Sequence, residues 1–87
     1  MAKTSHVQSV ARAMQLLETL AESDSELSLA EISGKLEWPK STVHGILTTL
    51  RDYHFVDQSA ENGKYRLGRR LFELCQNVEQ VACKENP

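Results

Sequence analysis

Apolar residues recur at helical spacing between Val7 and about Glu22. Val10, Met14, Leu17 and Ala21 share one face; Ala13, Leu16 and Leu20 extend it, and Val7 and Ala11 widen its other side. At about 100° per residue this arc exceeds half the circumference. One small domain cannot easily cover so wide an arc, so the helix is either deeply buried or meets a second chain. The polar run Glu22-Ser23-Asp24-Ser25-Glu26 predicts a loop.

A second, shorter helix follows. Ser28 and, three residues later, Glu31 form a capping-box pattern, with Leu27 and Ile32 at the staple positions around it. Leu29, Ile32 and Leu36 supply its apolar stripe, and Gly34 and Pro39 limit its length. A third helix is predicted from Lys40 or Ser41 to Asp52, just after Pro39. Val43, Ile46, Leu47 and Leu50 fall on one side of it, while Ser41, Gly45, Thr48 and Asp52 point the other way. His44 and Arg51 flank one edge and Thr42 and Thr49 the other.

The period then changes. Phe55-Val56 and Tyr65-Arg66-Leu67 are strand-like and flank Asn62-Gly63, a strong two-residue hairpin signal. With that dipeptide in the turn, Ala60 is expected opposite Tyr65 and Gln58 opposite Leu67. Val56, Tyr65 and Leu67 then share one face, and Lys64 and Arg66 project from the other. A fourth helix is predicted from near Arg69, with Leu71, Leu74, Val78 and Val81 as its stripe and Cys75 and Ala82 beside them. The stripe suits packing on its own domain or on a partner helix equally well.

The chain has 87 residues, 40% apolar and 25% charged, which suits one folded domain and not two cores. Aromatics are 6%, so the core must be aliphatic. No apolar run approaches the roughly 20 residues needed to cross a bilayer, and the N-terminus leads into no apolar block that would predict a secretion signal. Cys75 and Cys83 stand without a CxxC or a histidine cluster, so neither a disulfide framework nor a zinc site is expected. The two are expected as buried or interfacial thiols in a cytoplasmic protein.

The formal net charge is −2, unpromising for a nucleic-acid binder, but it is unevenly placed. Residues 35–70 hold seven basic groups (Lys35, Lys40, Arg51, Lys64, Arg66, Arg69 and Arg70) against four acidic ones, between two acidic ends. Such an island is either an ordinary solvated surface or an electrostatic footprint.

The element order is helix, short helix, turn, helix, hairpin, helix. This is a mainly α fold with a small β-hairpin wing: a winged helix-turn-helix with a three-helix core, a two-stranded wing and a C-terminal linker helix. The major groove of B-DNA is about 12 Å wide and admits one helix with modest side chains. Helix 40–52 meets that demand, with an aliphatic inner face and an outer face of hydroxyls and an imidazole. Its start also offers backbone N–H groups to phosphate.

From about Val7 to Leu74 the sequence resembles the N-terminal winged helix-turn-helix of IclR-type bacterial transcription regulators. The matching pieces are Val7-Gln8-Ser9-Val10-Ala11-Arg12-Ala13, Leu29-Ala30-Glu31-Ile32, Pro39-Lys40-Ser41-Thr42-Val43-His44, Ile46-Leu47-Thr48-Thr49-Leu50, Phe55-Val56 and Tyr65-Arg66-Leu67-Gly68. Each is weak alone; the ordered set is fairly specific. The resemblance implies DNA binding through the third helix and wing and dimerisation through the first-helix region. It also implies a fourth helix leading to a C-terminal effector-binding domain, which these residues do not include. The chain departs from the family at Gly45, where arginine is usual, and at Glu37 and His54, where glycine is usual. If those two backbones are left-handed, each non-glycine residue costs roughly 1–2 kcal/mol. Trp38 stands where the family has leucine and is expected to pack under the turn.

The expected function is sequence-specific binding of double-stranded DNA by a regulator, repression being favoured over activation. Residues 6–69 form the DNA-binding domain and 70–87 the linker helix and tail. The candidate DNA-binding set is Ser28, Lys40, Ser41, Thr42, His44, Thr48, Arg51, Lys64 and Arg66. Of these, Ser41, Thr42, His44 and Thr48 are expected at bases or adjacent phosphates, and Lys40, Arg51, Lys64 and Arg66 at phosphates or through the wing. His44 reads equally well as a solvated helix residue, and Ser41 and Thr42 as caps. The expected partners are operator DNA and a second copy, held through the first helix with or without the linker helix. No cofactor, metal, membrane or small-molecule ligand is expected, and no nucleophile–base constellation suggests an enzyme. The alternative is a winged-helix module that binds proteins and not DNA.

Overall fold

The computed structural model describes residues 7–78. They form α1 (Gln8–Glu22), α2 (Leu29–Leu36), α3 (Lys40–Asp52), β1 (Val56–Gln58), β2 (Tyr65–Leu67) and α4 (Arg69–Cys75). Leu16 and Leu20 of α1, Ile32 of α2, Val43 and Leu47 of α3, Val56 of β1 and Tyr65 of β2 meet in one buried cluster with Leu27. Leu17, Leu29, Leu36, Trp38, Ile46 and Leu50 pack around it. The core is aliphatic apart from Tyr65, as the low aromatic content requires.

The wide apolar arc of α1 divides. Its Leu16–Leu20 side enters the core, while Val10 and Met14 remain 53% and 54% exposed beside an exposed Val7. That outer side lines a shallow groove with Ala11, Gln15 and Glu18. At the start of α2 the capping box is complete. The Glu31 N–H donates to Ser28 Oγ at 3.1 Å, and the Ser28 N–H donates to Glu31 Oε1 at 2.8 Å. Leu27 and Ile32, the staple pair, are both buried.

Both helices of the helix-turn-helix end on a left-handed residue that is not glycine. Glu37 closes α2 at φ 61° and donates its N–H to the Ser33 carbonyl at 2.7 Å. His54 follows α3 at φ 68°. There the Phe55 N–H reaches the Leu50 carbonyl at 2.8 Å and the His54 N–H reaches that of Arg51 at 2.9 Å, the paired bonds of a Schellman motif. This turn delivers the chain from α3 into β1.

The wing corrects the expected register. Gln58 pairs with Tyr65 and Val56 with Leu67, so the strands are shifted by two residues. Asn62-Gly63 does not form a type I′ turn, which needs positive φ at both positions; only Gly63, at φ 73°, has it. The loop is wider instead, from Ser59 to Lys64. The Ser59 N–H donates to the Lys64 carbonyl at 2.8 Å, and the Gly63 N–H to the Ser59 carbonyl at 2.9 Å. Side chains hold it open: Ser59 Oγ accepts from the Glu61 and Asn62 N–H groups, and Asn62 Oδ1 from the Lys64 N–H. A shift of two preserves which side chains face which way, so Val56, Tyr65 and Leu67 still share a face. Leu27 adds a one-residue third strand, exchanging both backbone bonds with Tyr65 at 3.0 and 2.7 Å.

Gly68, at the root of the wing, is buried with its backbone pressed on that of residues 54–56. A Cβ there would collide with the His54 carbonyl and lie 2.8 Å from Phe55 C and Val56 N. The fourth helix is shorter than its stripe predicts, ending at Cys75 with no buried residue. Phe72, Leu74 and Val78 are exposed, and so is Cys75, so of the two expected states, buried or interfacial, it is not the buried one. Of the stripe, Leu74 and Val78 are exposed among the described residues and Leu71 is half-buried. Val81, Ala82 and Cys83 lie outside the described residues.

Candidate nucleic-acid interface

The third helix presents the surface its sequence predicts. Val43 and Leu47 are fully buried, with Ile46 and Leu50 packed beside them, which anchors the aliphatic back. Lys40, Ser41, His44 and Gly45 are exposed on the other side, Thr42 and Thr48 partly so. Ser41 and Thr48 therefore lie on one ridge with His44 between them. No hydrogen bond within the described residues engages the side chains of Lys40, Ser41, Thr42, His44 or Thr48. Thr49 Oγ1 instead turns back to the Gly45 carbonyl at 3.0 Å. Apart from its own helix backbone and chain neighbours, no atom lies within 4 Å of where a Cβ at Gly45 would sit, and the helix there borders an apolar cleft of about 550 Å³ against α1.

Three of the remaining candidates, Ser28, Arg51 and Arg66, are tied to the protein itself. The Ser28 hydroxyl is the α2 cap. Arg51 Nη1 donates to Gln58 Oε1 at 2.6 Å, and Gln58 Nε2 donates to the Gly63 carbonyl at 3.1 Å. Arg66 pairs across the sheet with Asp57 and makes a 2.7 Å salt bridge to Glu26 Oε2 on the opposite side. Lys64 stands near Glu31. The Glu31 carboxyl is held below the usual carboxylate range, first by the Ser28 N–H, against a slight loss of hydration, with Lys64 adding a favourable charge. Beyond the hairpin, Arg69 and Arg70 both lie against Glu73, at 3.9 and 3.1 Å.

Sequence reasoning missed Glu26 and Gln58 as the partners of two candidate arginines. The alternation Glu26-Leu27-Ser28-Leu29 holds a signal for the third strand that brings Glu26 to Arg66. Gln58 meets Arg51 only once the wing register is known. Trp38 packs on the core as expected, and its outer ring face carries the Arg12 guanidinium, 5.7 Å from the centroid.

The sequence that builds this polar, apolar-backed helix and its neighbours matches a known family. The model for the IclR helix-turn-helix domain covers residues 9–60, more than half of the chain. The chain belongs to the IclR family. It is 46% identical over 67 residues to the HTH-type transcriptional regulator XynR of Escherichia coli K12, a stretch that is 77% of this chain and 27% of that protein. It is 39% identical over 69 residues to the Transcriptional repressor IclR of the same organism, covering 79% of this chain and 25% of the relative. Among solved structures, the IclR transcriptional regulator from Alicyclobacillus acidocaldarius superposes with a TM-score of 0.83 at 29% identity, over 88% of this chain and 31% of that one. This IclR domain thus spans about a quarter of the length of the curated relatives. Its fold is the winged helix-turn-helix. No helix among the described residues is long and apolar enough to cross a membrane.

Proposed function

We propose that this chain is the DNA-binding part of a bacterial transcription regulator and reads double-stranded DNA sequence-specifically, with α3 in the major groove. One observation carries the reading: the ridge of Lys40, Ser41, His44 and Thr48 is solvent-facing and uncommitted within the described residues, while Val43 and Leu47 behind it are fixed in the core. Ser41, Thr42, His44 and Thr48 meet base edges or flanking phosphates; Lys40 and Lys64 neutralise phosphates, and Arg66 joins them when it leaves Glu26. Asp52, at the far end of α3, stays outside a groove entered by the helix N-terminus. Residues 6–69 act as the reading unit and 70–87 as linker and tail. The family, which includes the Transcriptional repressor IclR of Escherichia coli, favours repression, in the cytoplasm and without catalysis.

The reader acts as a two-fold dimer through the outer face of α1, where Val7, Val10 and Met14 form an exposed apolar stripe. Half-sites in the operator are then related by the same symmetry.

The test is titration with random and enriched DNA duplexes at several salt concentrations. A DNA reader shows log K falling linearly with log salt, preference for the enriched duplex, and a change of base preference in Thr48→Ala. Binding to no duplex at low salt overturns the reading in favour of a protein-interaction module, for which the capture of Arg66 by Glu26 and the formal charge of −2 are the supporting observations.

A further inference from the structure

The wing is fastened to the helical body at its root and along one edge by backbone. Phe55 N–H reaches back to α3, Gly68 N–H reaches the Phe55 carbonyl at 2.8 Å, and Leu27 pairs with Tyr65. None of these bonds reaches the tip, residues 59–64. The tip is connected to α3 by a side-chain relay. Arg51, in the last turn of α3, donates to Gln58 Oε1, and the other end of the same amide donates to the Gly63 carbonyl. An amide suits this place because one side chain must accept from a guanidinium and donate to a carbonyl; a carboxylate can do only the first, a lysine only the second.

We propose that Arg51 and Gln58 are positioning residues. They set the distance and angle between the recognition helix and the wing tip, and Arg51 acts through Gln58 rather than by neutralising a phosphate. This rests on the DNA-reading function proposed above. Both side chains are exposed, so the relay contributes little to folding. Its effect falls on binding, where a tip already held in place need not be ordered when DNA arrives.

The experiment uses the full chain and a duplex of about 30 base pairs, enough for two half-sites a helical turn apart, enriched by this protein from a random library. Arg51→Ala, Gln58→Ala and the double variant are compared with the parent in affinity, salt slope and melting temperature. The expected result is a loss of about three- to tenfold for each single variant, from one charge-assisted bond and its ordering. The double variant loses no more than either single one, the salt slope is unchanged, and so is the melting temperature. NMR relaxation in the DNA-free protein shows the 59–64 tip more mobile in both single variants. A slope reduced by about one in Arg51→Ala with Gln58→Ala neutral makes Arg51 a phosphate contact and overturns the proposal. Additive losses, or no loss in either variant, overturn it as well. If the parent binds no DNA, the functional reading fails first, which these outcomes do not mimic.

Discussion

Glu37→Gly and His54→Gly should each stabilise the domain. Both backbones are left-handed, at φ 61° and 68°, where a Cβ crowds the following carbonyl. The crowding costs roughly 1–2 kcal/mol for an ordinary side chain. Glycine removes it but frees the unfolded chain, returning about 0.4–1 kcal/mol. The net gain is about 0.5–1 kcal/mol per site, toward the lower end for His54, because histidine tolerates this region better than most residues. Both side chains are exposed, so no packing is lost. In a domain of this size the gain should raise the melting midpoint by about 2–8 °C. Circular dichroism with thermal and urea unfolding reads the effect. The control is Glu37→Ala, which removes the carboxylate and keeps the Cβ; it should gain nothing. If Glu37→Ala stabilises as much as Glu37→Gly, charge and not backbone conformation is the cause, and the argument is refuted. A lowered midpoint in both glycine variants would refute it as directly.

Three further outcomes follow from local geometry. Gly68→Ala should cost about 3 kcal/mol or prevent folding, since its Cβ would press on backbone at Phe55 and Val56 that cannot move aside; urea midpoints decide it. Gly45→Ala should add up to about 1 kcal/mol of stability, because the site is an open helix interior; an unchanged melting curve would contradict it. Glu31 should contribute stability that is full above the ordinary carboxylate range and lost as pH falls through its lowered folded value, because the folded state favours the ionised form. The melting difference between the parent and Glu31→Gln should therefore close on acidification, and a difference constant with pH would show that the cap does not depend on ionisation.

Helices α2 and α3 were legible because each carries two independent local signals. For α2 these were the Ser28–Glu31 box and the Leu29–Ile32–Leu36 stripe; for α3, the Pro39 start and the Val43–Leu47 back. The wing was legible as a hairpin but not in register. The Asn62-Gly63 signal is real, but it competes with Ser59 and Asn62 side chains that satisfy loop N–H groups locally, and the wider loop prevails. The candidate site was legible as a ridge on α3, since helical geometry alone puts Ser41, His44 and Thr48 together. The arginines were not, because a long side chain takes its partner from across the fold. Arg51 finds Gln58 seven residues on, and Arg66 finds Glu26 forty residues back.

That difference bears on how charge is counted. Seven basic residues in 35–70 suggest a strong footprint, but Arg66, Arg69 and Arg70 already face carboxylates. With Arg51 given to the wing as proposed, Lys40 and Lys64 are the proposed phosphate contacts that remain. At about 0.9 per phosphate, two contacts predict a slope of about −1.8 per protomer in log K against log salt, far below what the raw count implies. If Arg66 meets phosphate as proposed, its exposed bridge to Glu26 competes weakly with that contact, and a single substitution releases it. Glu26→Gln should free Arg66 without moving the backbone of Leu27. Affinity for all duplexes should then rise, most at low salt, and the slope should steepen by about 0.9. Steepening with no change in base preference marks Arg66 as a phosphate contact held in reserve. An unchanged slope would mean that Arg66 serves the sheet alone, bracing β2 between Glu26 and Asp57.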